Sequence, residues 1–227
     1  MRRGGASSPP YNGFNLATHV GDDPLAVAAN RARLRLLLPS EPRWLDQVHG
    51  CDVVVIDGHE REGEVSRADA SLTRMPNEVC VVMTADCLPV LLCDRFGVVV
   101  AAVHAGWRGL CNGVIEQTVV RMGVPAETLL AYLGPAIGPQ AFEVGDEVRT
   151  AFLARDAAAE ACFKAHVPGK WWADLYALAK QRLAAIGVLG VFGGGACTFS
   201  DADSYFSYRR DGARSGRMAS LIWLTGG

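Results

Sequence analysis

Two continuous apolar runs dominate the middle of the chain: Val-Leu-Leu-Cys at 90–93 and Val-Val-Val-Ala-Ala-Val at 98–103. Short runs of β-branched and aliphatic residues read as strands buried on both faces. Asp94-Arg95-Phe96-Gly97 lies between them, a turn with glycine last, so the pattern predicts a β-hairpin. Closing it on that turn makes opposed residue numbers sum to about 191, which sets Cys87 against His104. Opposed side chains have Cβ atoms about 4.5–5.5 Å apart, close enough to share a proton or a metal. Pro89 has no N–H for the ladder, so Cys87 is expected just past its last rung. Gly106 and Gly109 are expected to let the backbone turn sharply beneath Trp107 and Arg108.

The rest of the chain alternates irregularly between the two periods. Asp23 before Pro24 predicts a helix over 24–38 that stops at Pro39. Residues 43–49 read as a short extended segment and 51–57 as a strand, with His49 at their junction and a charged, exposed loop over 58–68. Asp69 opens an apolar stretch to residue 73, and a strand is expected over 78–84. Asn112 is expected to cap a helix over 113–122 that Gly123 stops. Next come a strand over 129–133, a Gly/Pro-rich loop over 134–139, a helix over 146–158 and an edge strand over 164–167. Asp174 caps a helix over 175–186, and strands follow at 188–192 and 218–223. Trp171-Trp172 reads as packing, and glycines 193–195 are not a phosphate loop because no Gly-Lys-Ser/Thr follows. This order predicts one α+β domain over 1–227, a compact α/β sandwich with mixed sheets around a central β-hairpin.

Composition narrows the function classes. A formal net charge of −2, with no long basic run, argues against a nucleic-acid partner. Seven cysteines without a Cys-x-x-Cys pair suit a reducing cytoplasm better than a disulfide framework. The N-terminus lacks a signal-peptide core, and no apolar run is long enough for a membrane span.

The chemistry concentrates in His49, Cys87 and His104, all at strand ends. Two imidazoles and a thiolate suit catalytic zinc with an open fourth position, and equally the equatorial set of a copper site. Alternatively, Cys87 is a nucleophile activated by His104, or the metal is structural in a binding protein that lacks a fourth ligand. His19, His59 and His166 read as solvated or structural. A second cluster holds Cys197-Thr198, Tyr205 to Gly212, Arg214 and Ser215-Gly216-Arg217, where arginines among hydroxyls suit phosphate or carboxylate oxygens.

These segments carry a resemblance. Gln47-Val-His-Gly50, Thr84-Ala-Asp-Cys-Leu-Pro-Val90, Val103-His-Ala-Gly-Trp-Arg-Gly109, Gly134-Pro-Ala-Ile-Gly-Pro139 and Phe206-Ser-Tyr-Arg-Arg-Asp211 are the most specific of matches spanning nearly the whole chain. The sequence resembles the bacterial purine nucleoside phosphorylase family long described as multicopper polyphenol oxidases or laccase-domain proteins. The resemblance implies metal ligation by His49, Cys87 and His104, with zinc as the metal and copper as an alternative. It also implies a sandwich likened to cysteine hydrolases, with nucleoside and phosphate as small-molecule partners. The implied chemistry is phosphorolysis of adenosine, inosine and methylthioadenosine, together with deamination of adenosine. Asp86 is the candidate proton shuttle, and Arg108, Arg209 and Arg210 are the candidates for phosphate. Ser215 departs from the family's usual threonine before Gly-Arg-Met but keeps the hydroxyl. Copper phenol oxidation remains an alternative, although five histidines are too few for a trinuclear cluster as well. A Cys–His hydrolase acting on a cell-wall peptide or amide is a further one.

Overall fold

A computed structural model gives the fold and describes residues 1–58 and 65–226; the tip of the predicted charged loop, with His59, lies outside them. In chain order the elements are α1 (Pro24–Arg35), β1 (Leu45–Asp46), β2 (Val53–Ile56), β3 (Ser66–Arg67), β4 (Ala70–Thr73), β5 (Cys80–Thr84), β6 (Leu88–Asp94), β7 (Val100–Ala105), α2 (Trp107–Asn112), α3 (Val114–Met122), β8 (Leu129–Leu133), β9 (Glu143–Gly145), α4 (Asp146–Leu153), β10 (Phe163–Ala165), β11 (Lys170–Ala173), α5 (Leu175–Ala185), β12 (Gly190–Gly193), α6 (Tyr208–Asp211) and β13 (Met218–Ile222).

The core is a six-stranded mixed sheet in the order β12-β8-β6-β7-β4-β2, parallel at its two outer pairs and antiparallel between. β7 is buried along its whole length because both faces of the sheet are covered. Ala101, Val103 and Ala105 pack into the cluster that holds Leu110, Ile115 and Met122 of α2 and α3. Ala102, of opposite parity, packs with Cys80 and Val82 of β5, which pairs antiparallel with β13. A separate antiparallel sheet, β10-β11-β9, incorporates Trp171 and Trp172. The predicted mixed α+β architecture is therefore the observed one.

The central hairpin forms with a register two residues away from the prediction. Pro89, not Cys87, lies opposite His104, and Leu88 pairs with Ala105. The connection is longer because it closes on the Asp94 side chain, which accepts from the amides of Phe96 (3.0 Å), Val98 (2.7 Å) and Val99 (3.0 Å). A two-residue shift preserves parity, so Cys87 stays on the face of His104. Pro89 sits inside β6, and Cys87 precedes the strand by one residue. α1 is shorter than predicted, ending at Arg35 with turns over the next residues. Asn112 ends α2 instead of capping α3; Gly113, at φ 100°, separates the two helices. The predicted helix over 146–158 divides into α4 and a 3-10 segment, Ala157–Cys162.

Candidate metal centre and its cavity

Three backbone segments meet at the end of the central hairpin. His104 is near the end of β7, Cys87 lies in the bend before β6, and His49 lies in the loop between β1 and β2 with φ 61°. One nitrogen from each histidine and the Cys87 sulfur all lie within 4.8 Å of one another. His49 Nε2 is 3.8 Å from Cys87 Sγ, and the two imidazoles meet edge-on at 4.9 Å between ring centres. Donors around a tetrahedral zinc ion are about 3.4–3.6 Å apart; the His49–Cys87 pair is already near that spacing, and side-chain rotation of about 1 Å closes the rest. The residues present therefore fit a three-ligand ion.

Asp69 organises the set. Its buried carboxylate accepts from the amides of Val48 (3.2 Å), His49 (2.9 Å) and Gly50 (2.6 Å) and pairs with His104 Nδ1 at 2.8 Å. With Nδ1–H donating to Asp69, His104 presents Nε2 to a metal, the carboxylate–histidine arrangement common behind metal ligands. Nothing in the sequence pattern singled out Asp69 for this role, because an aspartate before an apolar run also suits an ordinary strand start.

Gly106 and Gly109 are needed for space. A Cβ on Gly106 would lie 2.9 Å from His49 Cδ2 and 3.0 Å from Cys87 Sγ, and one on Gly109 would lie 2.8 Å from the Gly50 carbonyl oxygen. The expected sharp turn is instead the start of α2, with Gly106 at φ −62°.

Electrostatics favour the ligand form of the thiol. Burial alone would raise the Cys87 pKa, but His104 and the hydrogen bonds to both imidazoles outweigh it and lower it to about 6. Burial disfavours a charged His104, yet the Cys87 thiolate and Asp69 carboxylate raise its pKa to about 9. Asp69 is itself lowered: desolvation opposes its charge, but the His104 and Gly50 hydrogen bonds prevail. The thiolate is the nucleophilic and metal-binding form of cysteine.

Above these residues opens a cavity of about 830 Å³. Trp107, Ile137, Phe142 and Tyr208 give it apolar surface; Arg31, Arg108, Arg209 and Arg217 give it positive charge, with Asp46 and Asp86 also in the wall. Arg108 lies over the Trp107 ring at 4.5 Å. Arg209 donates through Nη1 to the Glu143 carbonyl oxygen at 2.9 Å and lies 5.5 Å from the Phe142 ring centre. His19, read from the sequence as structural, lines this cavity. His166 does not; it pairs with Glu143 at 3.4 Å and packs on Trp172.

Two expectations change. Arg210 is bound within the protein: Nη1 donates to the Thr198 and Phe199 carbonyl oxygens, Nη2 to that of Tyr205, and the Asp211 carboxylate takes Nε and Nη2. Its fork clamps a turn, leaving no donor pair for phosphate. Asp86 lines the cavity, but both its oxygens are engaged: Oδ1 by Thr198 Oγ1 (2.6 Å), Oδ2 by Ser207 Oγ (3.0 Å) and the Arg209 amide (2.6 Å). This geometry suits an anchor joining the Cys87 bend to α6 more than a proton shuttle.

Comparison with known proteins agrees across the chain. Residues 1–225 match the family described as multi-copper polyphenol oxidoreductase laccase. Purine nucleoside phosphorylase YfiH of Shigella flexneri is 56% identical over 225 residues, 98% of this chain and 91% of that protein. Purine nucleoside phosphorylase PA4543 of Pseudomonas aeruginosa is 56% identical over 224 residues, 98% of this chain and 90% of its own. The crystal structure of Neisseria meningitidis protein NMB0706 superposes with a TM-score of 0.94 at 51% identity, covering 99% of this chain and 92% of that one.

Proposed function

The chain belongs to the multi-copper polyphenol oxidoreductase laccase family, and on that premise we propose that it is a zinc-dependent purine nucleoside phosphorylase. Its substrates would be adenosine, inosine and methylthioadenosine, with adenosine deamination as a second activity. The observation that carries this reading is an open three-donor set, His49, Cys87 and His104, at the floor of a cavity both aromatic and cationic. An ion held by His49, Cys87 and His104 would supply Lewis acidity and activate water, the chemistry that hydrolytic deamination at purine C6 requires. Trp107, Phe142 and Tyr208 offer surfaces for a purine ring, while Arg108 and Arg209 raise the positive potential at the mouth. In phosphorolysis a phosphate oxygen forms the bond to ribose C1′ as the glycosidic C–N bond breaks. The electron pair leaves with the purine, and the proton of hydrogenphosphate ends on the base.

Copper would bind the same donors. Among the described residues only this one group of three could hold a metal, which supports neither a trinuclear cluster nor the oxidase chemistry that needs one. The Asp69–His104–Cys87 alignment favours a second reading, a Cys–His hydrolase acting on a cell-wall peptide or amide. The cysteine-hydrolase-like sandwich that the sequence resemblance implies would be in keeping with it. We place the protein, as one domain over 1–227, in the reducing cytoplasm, where its seven cysteines stay free. Among the described residues no helix is long and apolar enough to cross a membrane.

The test is metal content and ribose 1-phosphate release from adenosine, measured on protein purified without added metal. Cys87→Ala is expected to lose the metal and both nucleoside activities together. Full phosphorolysis by metal-free Cys87→Ala would exclude this mechanism. Amide hydrolysis that survives chelation in the native protein but disappears in Cys87→Ala would favour the hydrolase.

A further inference from the structure

We propose that Arg217 and His19 form the oxyanion subsite that receives inorganic phosphate beside the metal centre. The inference rests on the phosphorylase reading and names the residues that serve its second substrate.

Arg217 has donors to spare. Nη1 donates to the carbonyl oxygens of Ser215 (2.6 Å) and Gly216 (3.1 Å), while Nε and Nη2 have no acceptor among the described residues. The side chain lines the same cavity as Cys87. It is near enough for the charges of Cys87 and Asp86 to favour its protonated form, although burial is the larger influence and lowers its pKa. Its three rivals are placed differently: Arg210 is committed entirely to the protein, Arg209 in part to the Glu143 carbonyl at the exposed mouth, and Arg108 is exposed and lies over the Trp107 ring.

Asn15 joins two distant parts of the chain here. Its buried side chain accepts from the Arg217 amide at 2.9 Å, and the Leu16 amide donates to the Arg217 carbonyl oxygen at 3.3 Å. The start of β13 is thereby fastened to the segment that presents His19. Desolvation and the charges of Arg217 and Arg31 all lower the His19 pKa, with Asp46 the opposing charge. Arg31 lines the same cavity, held by its Nε on the Leu16 carbonyl oxygen at 2.8 Å and its guanidinium over Trp44 at 3.9 Å. Asp86 is already engaged by Thr198, Ser207 and the Arg209 amide. The positive charge here comes from Arg217 and Arg31, with His19 a neutral imidazole able to donate one hydrogen bond, and an unfilled guanidinium edge inside a cavity gains from an arriving anion. A guanidinium fork can hold two phosphate oxygens and leave another free to approach C1′.

Phosphate binding to the metal-loaded protein, followed by ³¹P NMR titration, tests the assignment in wild type, Arg217→Lys and Arg217→Gln. Loss of a charge-assisted fork should raise the phosphate dissociation constant about 10- to 100-fold in both variants. Adenosine deamination should stay within about twofold, because its nucleophile is water. His19→Gln should weaken phosphate binding by a smaller factor, about 3- to 10-fold. Wild-type phosphate affinity in folded Arg217→Lys overturns the subsite while leaving phosphorolysis standing. Equal loss of deamination and phosphate binding also overturns it, since the cavity as a whole would then have changed. A wild-type protein that neither binds phosphate nor forms ribose 1-phosphate overturns both the subsite and the reading beneath it.

Discussion

One carboxylate, that of Asp69, accepts from three consecutive amides and one imidazole, and so fixes two of the three candidate ligands. An aspartate can accept all four because an ionised carboxylate is acceptor-only. Asparagine must turn an NH₂ group toward at least one of those donors. Asp69→Asn is therefore expected to weaken metal binding about 10- to 100-fold, as loss of such supporting partners commonly does. Competition with a chromophoric chelator measures it, and unchanged affinity would remove Asp69 from the positioning of His49 and His104. The same residue shows why a site can be partly hidden in a sequence. His and Cys declare themselves as ligand types, whereas the group that orients them is a common residue whose role depends on where the loop over 48–50 folds.

The central hairpin illustrates the next level. Its two strands follow from apolar runs alone, but its register is set by the turn, where Asp94 gathers three amides. Removing the carboxylate strands the buried Val99 amide and frees two amides at the exposed tip, so Asp94→Ala should cost about 1–2 kcal/mol by chemical denaturation. A change below 0.5 kcal/mol would mean that the turn closes without it. The pH dependence follows from the direction of its shift. Burial opposes the Asp94 charge, but the amides of Val99, Val98 and Phe96 outweigh it and lower the pKa below its model-compound value of 3.8. Its contribution is thus complete above the unfolded pKa and disappears as pH falls through the lower folded one. The wild type should lose its stability advantage over Asp94→Ala only below about pH 4.

Because the three candidate ligands come from separate segments, an ion bound there would cross-link those parts of the fold. An ion that binds only the folded state at about 100 times its dissociation constant adds about 2.7 kcal/mol. For a chain of this size that corresponds to about 5–10 °C in Tm. Chelation should lower the Tm of the native protein by that amount and leave Cys87→Ala unmoved. An equal response in both proteins would place the stabilising ion elsewhere.

Apolar runs, glycine and proline punctuation, and capping aspartates were sufficient for the mixed α+β class and for most helices and strands. They depend on near neighbours in the chain, which a sequence displays directly. The parity that keeps Cys87 and His104 on one face was also legible, because strand side chains alternate every residue whatever the exact turn. The short strands β9 and β11 were not: Glu143–Gly145 becomes a strand by pairing with the Trp171-Trp172 stretch, which lies between it and β10. The same distinction separates the arginines. Arg209, Arg210 and Arg217 look alike in sequence, yet Arg210 is consumed by nearby carbonyls, Arg209 stands at the mouth, and Arg217 faces the cavity. Asp69 beneath His104 and Asn15 behind Arg217 are likewise contacts across 35 and 202 residues. Only the folded backbone brings such groups within hydrogen-bonding reach, so tertiary structure decides what each charged side chain is free to bind.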